Sequence, residues 1–319
     1  MNVIVTGSAG YIGGQTALLL KDSGHSVYGI DRRSPPRHLA DVCDGFLRED
    51  FASDAALSWI ISKQPNAIIH CAGTSLVGPS MQDPAEYYNN NVVKTLRLLD
   101  VVRRSLPRCK VIFSSSAATY GNPVLDACNE VDPCLPISPY GESKLMIDMM
   151  LESYRQAYNL NYVSFRYFNA CGADPKGRHG QEPGATHLIA RFLEATRDDG
   201  QFRVYGDNYP TADGTCIRDY VHVADIAQAH VLALSPTVPA GIYNLGSNQG
   251  FSVIQVMKQA KTIIGKTPYI GVEARREGDP PVLTACADKF NKLVHWRNFE
   301  LDDMIQHAWN WYVRKNQTV

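Results

Sequence analysis

The first 31 residues restrict the fold more than any other stretch. Asn2-Val3-Ile4-Val5-Thr6 is a short apolar run that breaks into Thr6-Gly7-Ser8-Ala9-Gly10-Tyr11-Ile12-Gly13-Gly14. Thr16 to Leu20 then reads as a helix closed by Gly24, and His25 to Ile30 as a second strand ending in Asp31. Glycines at this spacing, GxxGxxG, let backbone come close to a pyrophosphate. The helix N-terminus offers free N–H groups and the positive end of its dipole. Asp31, 18 residues beyond Gly13, can accept from ribose hydroxyls. Strand, glycine turn, helix and acid-tipped strand in that order predict a dinucleotide site at the edge of a parallel sheet. Arg32 and Arg33 raise the question of a 2′-phosphate, but the Asp31 carboxylate would repel one, so NAD is expected rather than NADP.

The alternation continues through a strand at 45–51, a helix at 55–62 and a strand running into His70-Cys71-Ala72-Gly73. One long helix is expected from about Pro84 to Ser105, followed by the apolar strand Cys109 to Phe113, typical of a parallel strand covered on both faces. That strand leads into Ser114-Ser115-Ser116, at the sheet end where ligands of doubly wound folds bind. A further strand is predicted at 162–169, after which the texture shifts to shorter elements rich in glycine, proline and charge. The expected fold is therefore α/β, a doubly wound parallel (Rossmann) sheet with a smaller C-terminal α/β lobe. The predicted division is 1–167, with 221–246 returning to it, and 168–319.

Composition narrows the function. A chain of 319 residues with 45% hydrophobic and 20% charged residues can bury a substantial core, and a net charge of -1 gives no electrostatic case for nucleic acid or anionic membrane. The eight cysteines have neither CxxC pairs nor Cys/His spacing suited to zinc, so reduced thiols and no metal are expected. The sequence opens on an apolar strand without a basic leader, which makes a cytoplasmic enzyme the expectation.

Ser138-Pro139-Tyr140-Gly141-Glu142-Ser143-Lys144 supplies candidate chemistry. Tyr140 and Lys144, four residues apart on a helix, lie one turn above each other. An ammonium roughly 6 Å from a phenolate, at an effective dielectric of about 20, attracts it by about 2–3 kcal/mol, enough to lower the phenol by about 2 pKa units. Such a tyrosine serves as a proton-transfer base near neutrality. Glu142, two residues on, belongs to another face.

Gly7, Gly10 and Gly13, the strand-end Ser116 and Tyr140-xxx-Lys144 together resemble the extended short-chain dehydrogenases/reductases, and within them the UDP-galactose (UDP-glucose) 4-epimerases. The likeness covers nearly the whole chain, through EYYNNNV at Glu86, FSSSAATYG at Phe113, RYFNACGA at Arg166, YGDNYPTADGTCIRDYVHV at Tyr205 and RREGDPP at Arg275. The resemblance implies that Tyr140 removes the C4 hydroxyl proton of a UDP-hexose while NAD takes the hydride. Lys144 would tune the tyrosine and hold the nicotinamide ribose, and Ser116 would bond the C4 oxygen. Carried over by position, the cofactor contacts are Gly7, Gly10, Tyr11, Ile12, Gly13, Asp31, Asp50, Phe51, Cys71, Ala72, Gly73, Asn91, Ser114 and Phe168, with Tyr140 and Lys144. Those of the nucleotide sugar are Asn169, Leu188, Tyr205, Arg218, Arg276 and Asp279, with Ser116 and Tyr140. The two arginine forks suit a diphosphate. The resemblance also implies a homodimer through the helices at about 84–105 and 138–158.

Two departures bear on specificity. Many of these epimerases carry a phosphate-reaching lysine where this chain has Thr74-Ser75, which predicts looser NAD retention. Leu283 occupies a position that is a bulky tyrosine in several relatives, so an N-acetyl group is expected to be tolerated. A 4,6-dehydratase needs an acidic pair after the strand serine, and here those residues are Ala117-Ala118. A UDP-pentose or UDP-uronate 4-epimerase shares the whole catalytic set. A non-catalytic NAD sensor of the same fold would predict a broken Tyr/Lys pair.

Overall fold

The computed structural model describes residues 1–123, 127–276 and 278–315. It opens with the predicted strand, helix and strand, β1 (Asn2–Thr6), α1 (Tyr11–Asp22) and β2 (Ser26–Asp31), but α1 begins five residues before the expected Thr16, so Gly13 and Gly14 lie in its first turn. β3 (Gly45–Arg48) is shorter than expected, and α2 (Asp54–Ser62) starts on the Ser53 cap, whose hydroxyl accepts from the Ala56 N–H. β4 (Ala67–His70) is followed by α3 (Val77–Gln82), which the sequence reading missed. The single helix expected over 84–105 is three pieces: α4 (Pro84–Tyr87), a π-helical turn (Tyr88–Val93) and α5 (Lys94–Ser105). Such turns collect at functional sites, and this one carries Asn90 and Asn91.

β5 (Lys110–Ser116) runs through the serine cluster, so these serines are the strand's last residues and not a turn after it. α6 (Pro139–Tyr158) begins on Ser138, whose hydroxyl accepts from the Gly141 N–H, with Pro139 in the first turn, and ends at Asn159 in the left-handed region. The strand expected at 162–169 divides into β6 (Tyr162–Tyr167) and β7 (Asn169–Cys171). Next come α7 (Leu188–Arg197), β8 (Gln201–Tyr205), β9 (Ile217–His222), α8 (Val223–Leu232) and β10 (Gly241–Leu245). β11 (Gly250–Ser252), α9 (Val253–Ile264), β12 (Tyr269–Glu273), β13 (Val282–Leu283), α10 (Asp288–Asn291) and α11 (Leu301–Lys315) complete the chain. The capping box of Ser252 and Gln255 explains why α9 begins where its apolar period does.

Among the described residues, seven strands form one parallel sheet in the order β10-β6-β5-β4-β1-β2-β3. The order reverses direction between β1 and β4, the switch point where the carboxyl ends open a crevice. Val3, Ile4, Val5, Ile68, Ile69 and Ile112 are fully buried, as the continuous apolar runs require. A smaller sheet joins β11, β9, β13 and β7, and β8 pairs with β12. No helix among the described residues is long and apolar enough to cross a membrane.

Two contacts set how α6 lies on the sheet. A Cβ on Gly141 would stand 2.4 Å from the Ala118 carbonyl oxygen, so only glycine lets the helix start approach the turn after β5. One turn beyond Lys144, buried Asp148 accepts from Ser115 Oγ (3.2 Å) on β5 and from Ser164 Oγ (2.6 Å) and Arg166 Nε (3.0 Å) on β6. Arg166→Met removes the cation from a pair only 4% and 1% exposed. The expected loss is about 3–5 kcal/mol of unfolding free energy by urea titration; a loss below about 1 kcal/mol would show that the pair does not hold the helix.

Candidate active site

One cleft of about 1370 Å³ runs along the carboxyl ends of the parallel strands and under the smaller lobe. It exceeds the roughly 300–1,000 Å³ of ordinary small-molecule pockets. Gly7, Gly10, Tyr11, Ile12 and Gly13 line it at β1, Asp31 at β2, Asp50 and Phe51 at β3, Cys71, Ala72 and Gly73 at β4, and Ser114 and Ser116 at β5. Tyr140, Lys144, Phe168, Asn169, Leu188, Arg218, Arg276, Asp279 and Leu283 complete the expected lining.

The glycine turn is held by sterics. Gly7 has φ +74°, and a Cβ on it would meet the Ala72 nitrogen at 2.8 Å; one on Gly13 would meet the Gly7 carbonyl oxygen at 2.2 Å. Gly10 caps α1 with no side-chain hydrogen bond, and the first turn carries no acid. Its N–H groups therefore face the cleft uncapped, which fits a phosphate. Asp31 is held by the Ala9 N–H (3.1 Å) and the Arg33 N–H (2.9 Å), with the Arg33 guanidinium 3.6 Å away.

Two expected contacts stand behind the wall. Asn91 is buried and brackets Thr74, accepting from its N–H at 2.8 Å and donating to its carbonyl at 3.0 Å, with a third bond, to Ser143 Oγ, at 2.9 Å. It positions the loop after β4. Tyr205 lies beneath Arg276, whose guanidinium carbon is 3.9 Å from the ring centre. Arg218 is paired with Asp279 (2.7 Å). His70 is a satisfied core histidine, bonded to Thr6 Oγ1 (2.7 Å) and Thr95 Oγ1 (2.9 Å), with burial lowering it to about 3.

The expected depression of the Tyr140 phenol by Lys144 is overturned. Burial raises Tyr140 above the ordinary phenol value, against a smaller lowering by the Ser116 hydroxyl and a further raising by Tyr87. The Lys144 Nζ is 5.9 Å from the Tyr140 ring centre, but it donates to the Ser114 carbonyl (2.8 Å) and lies over the Phe113 ring. Burial lowers that ammonium to about 8, with Cys71 and Asp148 opposing. Helical spacing gives proximity; desolvation, which spacing does not report, outweighs it here.

The sequence reading also missed wall residues. Tyr167, at the end of β6, joins Ser114 Oγ (2.9 Å) and His230 Nε2 (2.5 Å); the strand-end rule that selected Ser116 would have found it. Lys94, Thr186, His187, Arg191, Cys216 and Tyr220 face the cleft as well. Among the described residues, no group of three or more His, Cys, Asp or Glu side chains could hold a metal ion.

Parallel sheet, glycine turn and convergent tyrosine, lysine and serine define an enzyme of the extended short-chain dehydrogenase/reductase class. The chain belongs to the NAD dependent epimerase/dehydratase family, whose model matches residues 3–246. It is 41% identical over 322 residues to the UDP-glucose 4-epimerase of Halalkalibacterium halodurans, covering 98% of this chain and 96% of that one. Among solved structures, the UDP-glucose 4-epimerase of Brucella ovis in complex with NAD superposes with a TM-score of 0.90 at 40% identity, covering 97% of each chain. That of Bifidobacterium longum in complex with NAD+ and UDP gives 0.91 at 31% identity, covering 100% of both.

The low Lys144 value has a thermodynamic consequence. Its ammonium titrates near 10.4 when unfolded and near 8 when folded. It therefore contributes stability present above the unfolded value and lost as the pH falls through about 8. In cofactor-free protein, raising the pH from about 7.5 to about 10.5 should shift unfolding free energy, relative to Lys144→Met, by about 3 kcal/mol in favour of wild type. A pH-independent difference in urea titrations would remove the depressed value.

Proposed function

We propose that the enzyme interconverts the C4 epimers of a UDP-hexose, UDP-glucose and UDP-galactose, with NAD as cofactor and a transient 4-keto sugar. The observation that carries this reading is that Tyr140, Ser116 and Lys144 open onto the same cleft as the glycine turn and the Arg218, Arg276 and Asp279 group. NAD, when bound, supplies the acceptor and donor for one hydride at C4. Tyr140 takes the C4 hydroxyl proton in the first half-reaction; the 4-keto sugar then turns over in the site so that the hydride returns to its other face, and Tyr140 gives the proton back to the C4 oxygen, so no net proton is consumed. Ser116 steadies the C4 oxygen. Lys144, anchored on the Ser114 carbonyl, would hold the nicotinamide ribose, and Tyr140 would be lowered again by the positive charge that an oxidised nicotinamide brings. Arg218 and Arg276 take the diphosphate, with Asp279 turning from Arg218 to the uridine ribose. Ala117 and Ala118 line the wall where a dehydratase acid would stand.

Residues 1–167 with 221–246 serve the cofactor, and 168–319 serve the nucleotide sugar. The working form is a cytoplasmic homodimer. Val93 (50% exposed), Leu96 (43%), Met146 (41%) and Met149 (62%) leave an apolar face on and beside α5 and α6, and eight free thiols suit a reducing compartment.

Purified protein given each UDP-sugar without added nicotinamide should equilibrate UDP-glucose with UDP-galactose, read by NMR of C4 epimers. Turnover confined to pentose or uronate substrates would redirect the assignment, and none with any sugar, even after NAD is added, would favour the sensor. Tyr140→Phe should keep nucleotide-sugar binding and lose about 2–4 orders of magnitude in rate; a variant within about tenfold of wild type excludes Tyr140 as the base. Leu283, half-buried beside Arg218, leaves room for an N-acetyl group, so UDP-N-acetylglucosamine should also turn over, and its inertness beside brisk UDP-glucose epimerisation refutes that. Leu96→Asp with Met149→Glu should convert dimer to monomer in sedimentation velocity; an unchanged dimer would place the interface elsewhere.

A further inference from the structure

Lys94 stands at the first position of α5, directly after the π-helical turn. Its ammonium donates to Asp50 Oδ2 (2.7 Å) and Asn90 Oδ1 (2.6 Å) and forms part of the cleft wall. In the parallel sheet β1 and β2 lie between β4 and β3. Lys94 belongs to the connection that leaves β4, whereas Asp50 follows β3, so their ion pair crosses the carboxyl ends of the two intervening strands. Those ends carry the glycine turn and Asp31.

The charges around this half of the cleft give the ammonium a second use. Four carboxylates line it, Asp31, Glu49, Asp50 and Glu86, against the cations Arg32, Arg33 and Lys94. The Arg33 side chain is 70% exposed and pairs within its own loop with Asp31, whereas the Lys94 side chain is 22% exposed. Lys94 is therefore screened less by water than Arg33. A dinucleotide brings two phosphate charges into this wall, and the loop at Thr74 and Ser75 brings no cation to meet them.

We propose that Lys94 is a cofactor-binding residue, a cation that closes over the pyrophosphate while Asp50 takes up the adenine. The inference rests on NAD being the cofactor. The Lys94–Asp50 pair spans the adenosine half of the cleft before loading, and the ammonium turns to phosphate oxygen on loading. Asn90 keeps it aimed inward.

The test compares cofactor-stripped wild type, Lys94→Gln and Lys94→Arg by calorimetric titration with NAD and with adenosine, which has no phosphate, at low and high salt. Lys94→Gln should weaken NAD binding by about 10- to 100-fold, the size of a lost charge-assisted bond. It should change adenosine binding less than threefold, flatten the salt dependence of NAD affinity and be rescued by Lys94→Arg. An equal weakening of NAD and adenosine would mean that Lys94 only positions Asp50, and NAD affinity within twofold of wild type would mean that it does neither; each overturns the proposal. Wild type that fails to bind NAD at all would instead overturn the cofactor assignment, so the two failures are distinct.

Discussion

The site depends on one buried charge cluster. Asp148 and Arg166 are almost completely withdrawn from water, and hydroxyls of Ser115 and Ser164 complete the carboxylate's shell. Taking both ions out of water is costly, and hydrophobic residues of similar shape often serve stability as well. What the cluster supplies is registry. Its carboxylate belongs to α6, which carries Tyr140 and Lys144; its partners belong to β5 and β6, which end at Ser116 and Tyr167. A slip of α6 along the sheet would separate charge from countercharge at great cost, whereas packing between apolar surfaces would allow it to slide.

With α6 fixed, the electrostatics of the tyrosine and lysine follow from burial. Each is pushed toward its neutral form, Tyr140 upward and Lys144 downward, because a low-dielectric pocket penalises either charge. The bare protein therefore holds a neutral phenol. Under the proposed mechanism a base is needed only with the cofactor bound, and an oxidised nicotinamide would add positive charge beside the phenol. Charge from Lys144 is directed elsewhere: its ammonium is fixed on the Ser114 carbonyl, where it can meet a ribose hydroxyl.

Legibility in the sequence tracked how local each cause is. β1, α1 and β2 were readable because glycine sterics, helix capping and an acid at a strand end act within a few residues, and Tyr140-xxx-Lys144 because helical period is local. Ser116 followed from sheet topology, a general rule for where strands end. The π-helical turn was not readable: three asparagines and two valines lower helix propensity without saying where an extra residue would enter, and the bonds of Asn91 to Thr74 and Ser143 join it to partners 17 and 52 residues away. The Arg218–Asp279 pair joins residues 61 apart, and the sign of the Tyr140 shift depends on a desolvated pocket built by several elements. Spacing reports neither.

The segment that follows β7 is hydrogen-bonded to the glycine-turn helix. Tyr11 Oη donates to the Gly172 carbonyl (2.8 Å), Gln15 Nε2 to Asp174 (2.9 Å), and His179 Nε2 to the Tyr11 carbonyl (2.9 Å). Arg178 bridges Asp174 and Asp22 at the far end of α1. The segment following β7 thus runs along the helix whose N-terminus faces the cleft, while β7 itself places Asn169 in the cleft wall. A shift of α1 on filling its N-terminus would be transmitted to the nucleotide-sugar side through hydrogen bonds rather than a flexible linker. A reaction that passes a hydride out from one face of C4 and back to the other needs the cofactor and the nucleotide anchored while the sugar ring between them turns, and these bonds tie the segment after β7 to the helix that begins at the glycine turn.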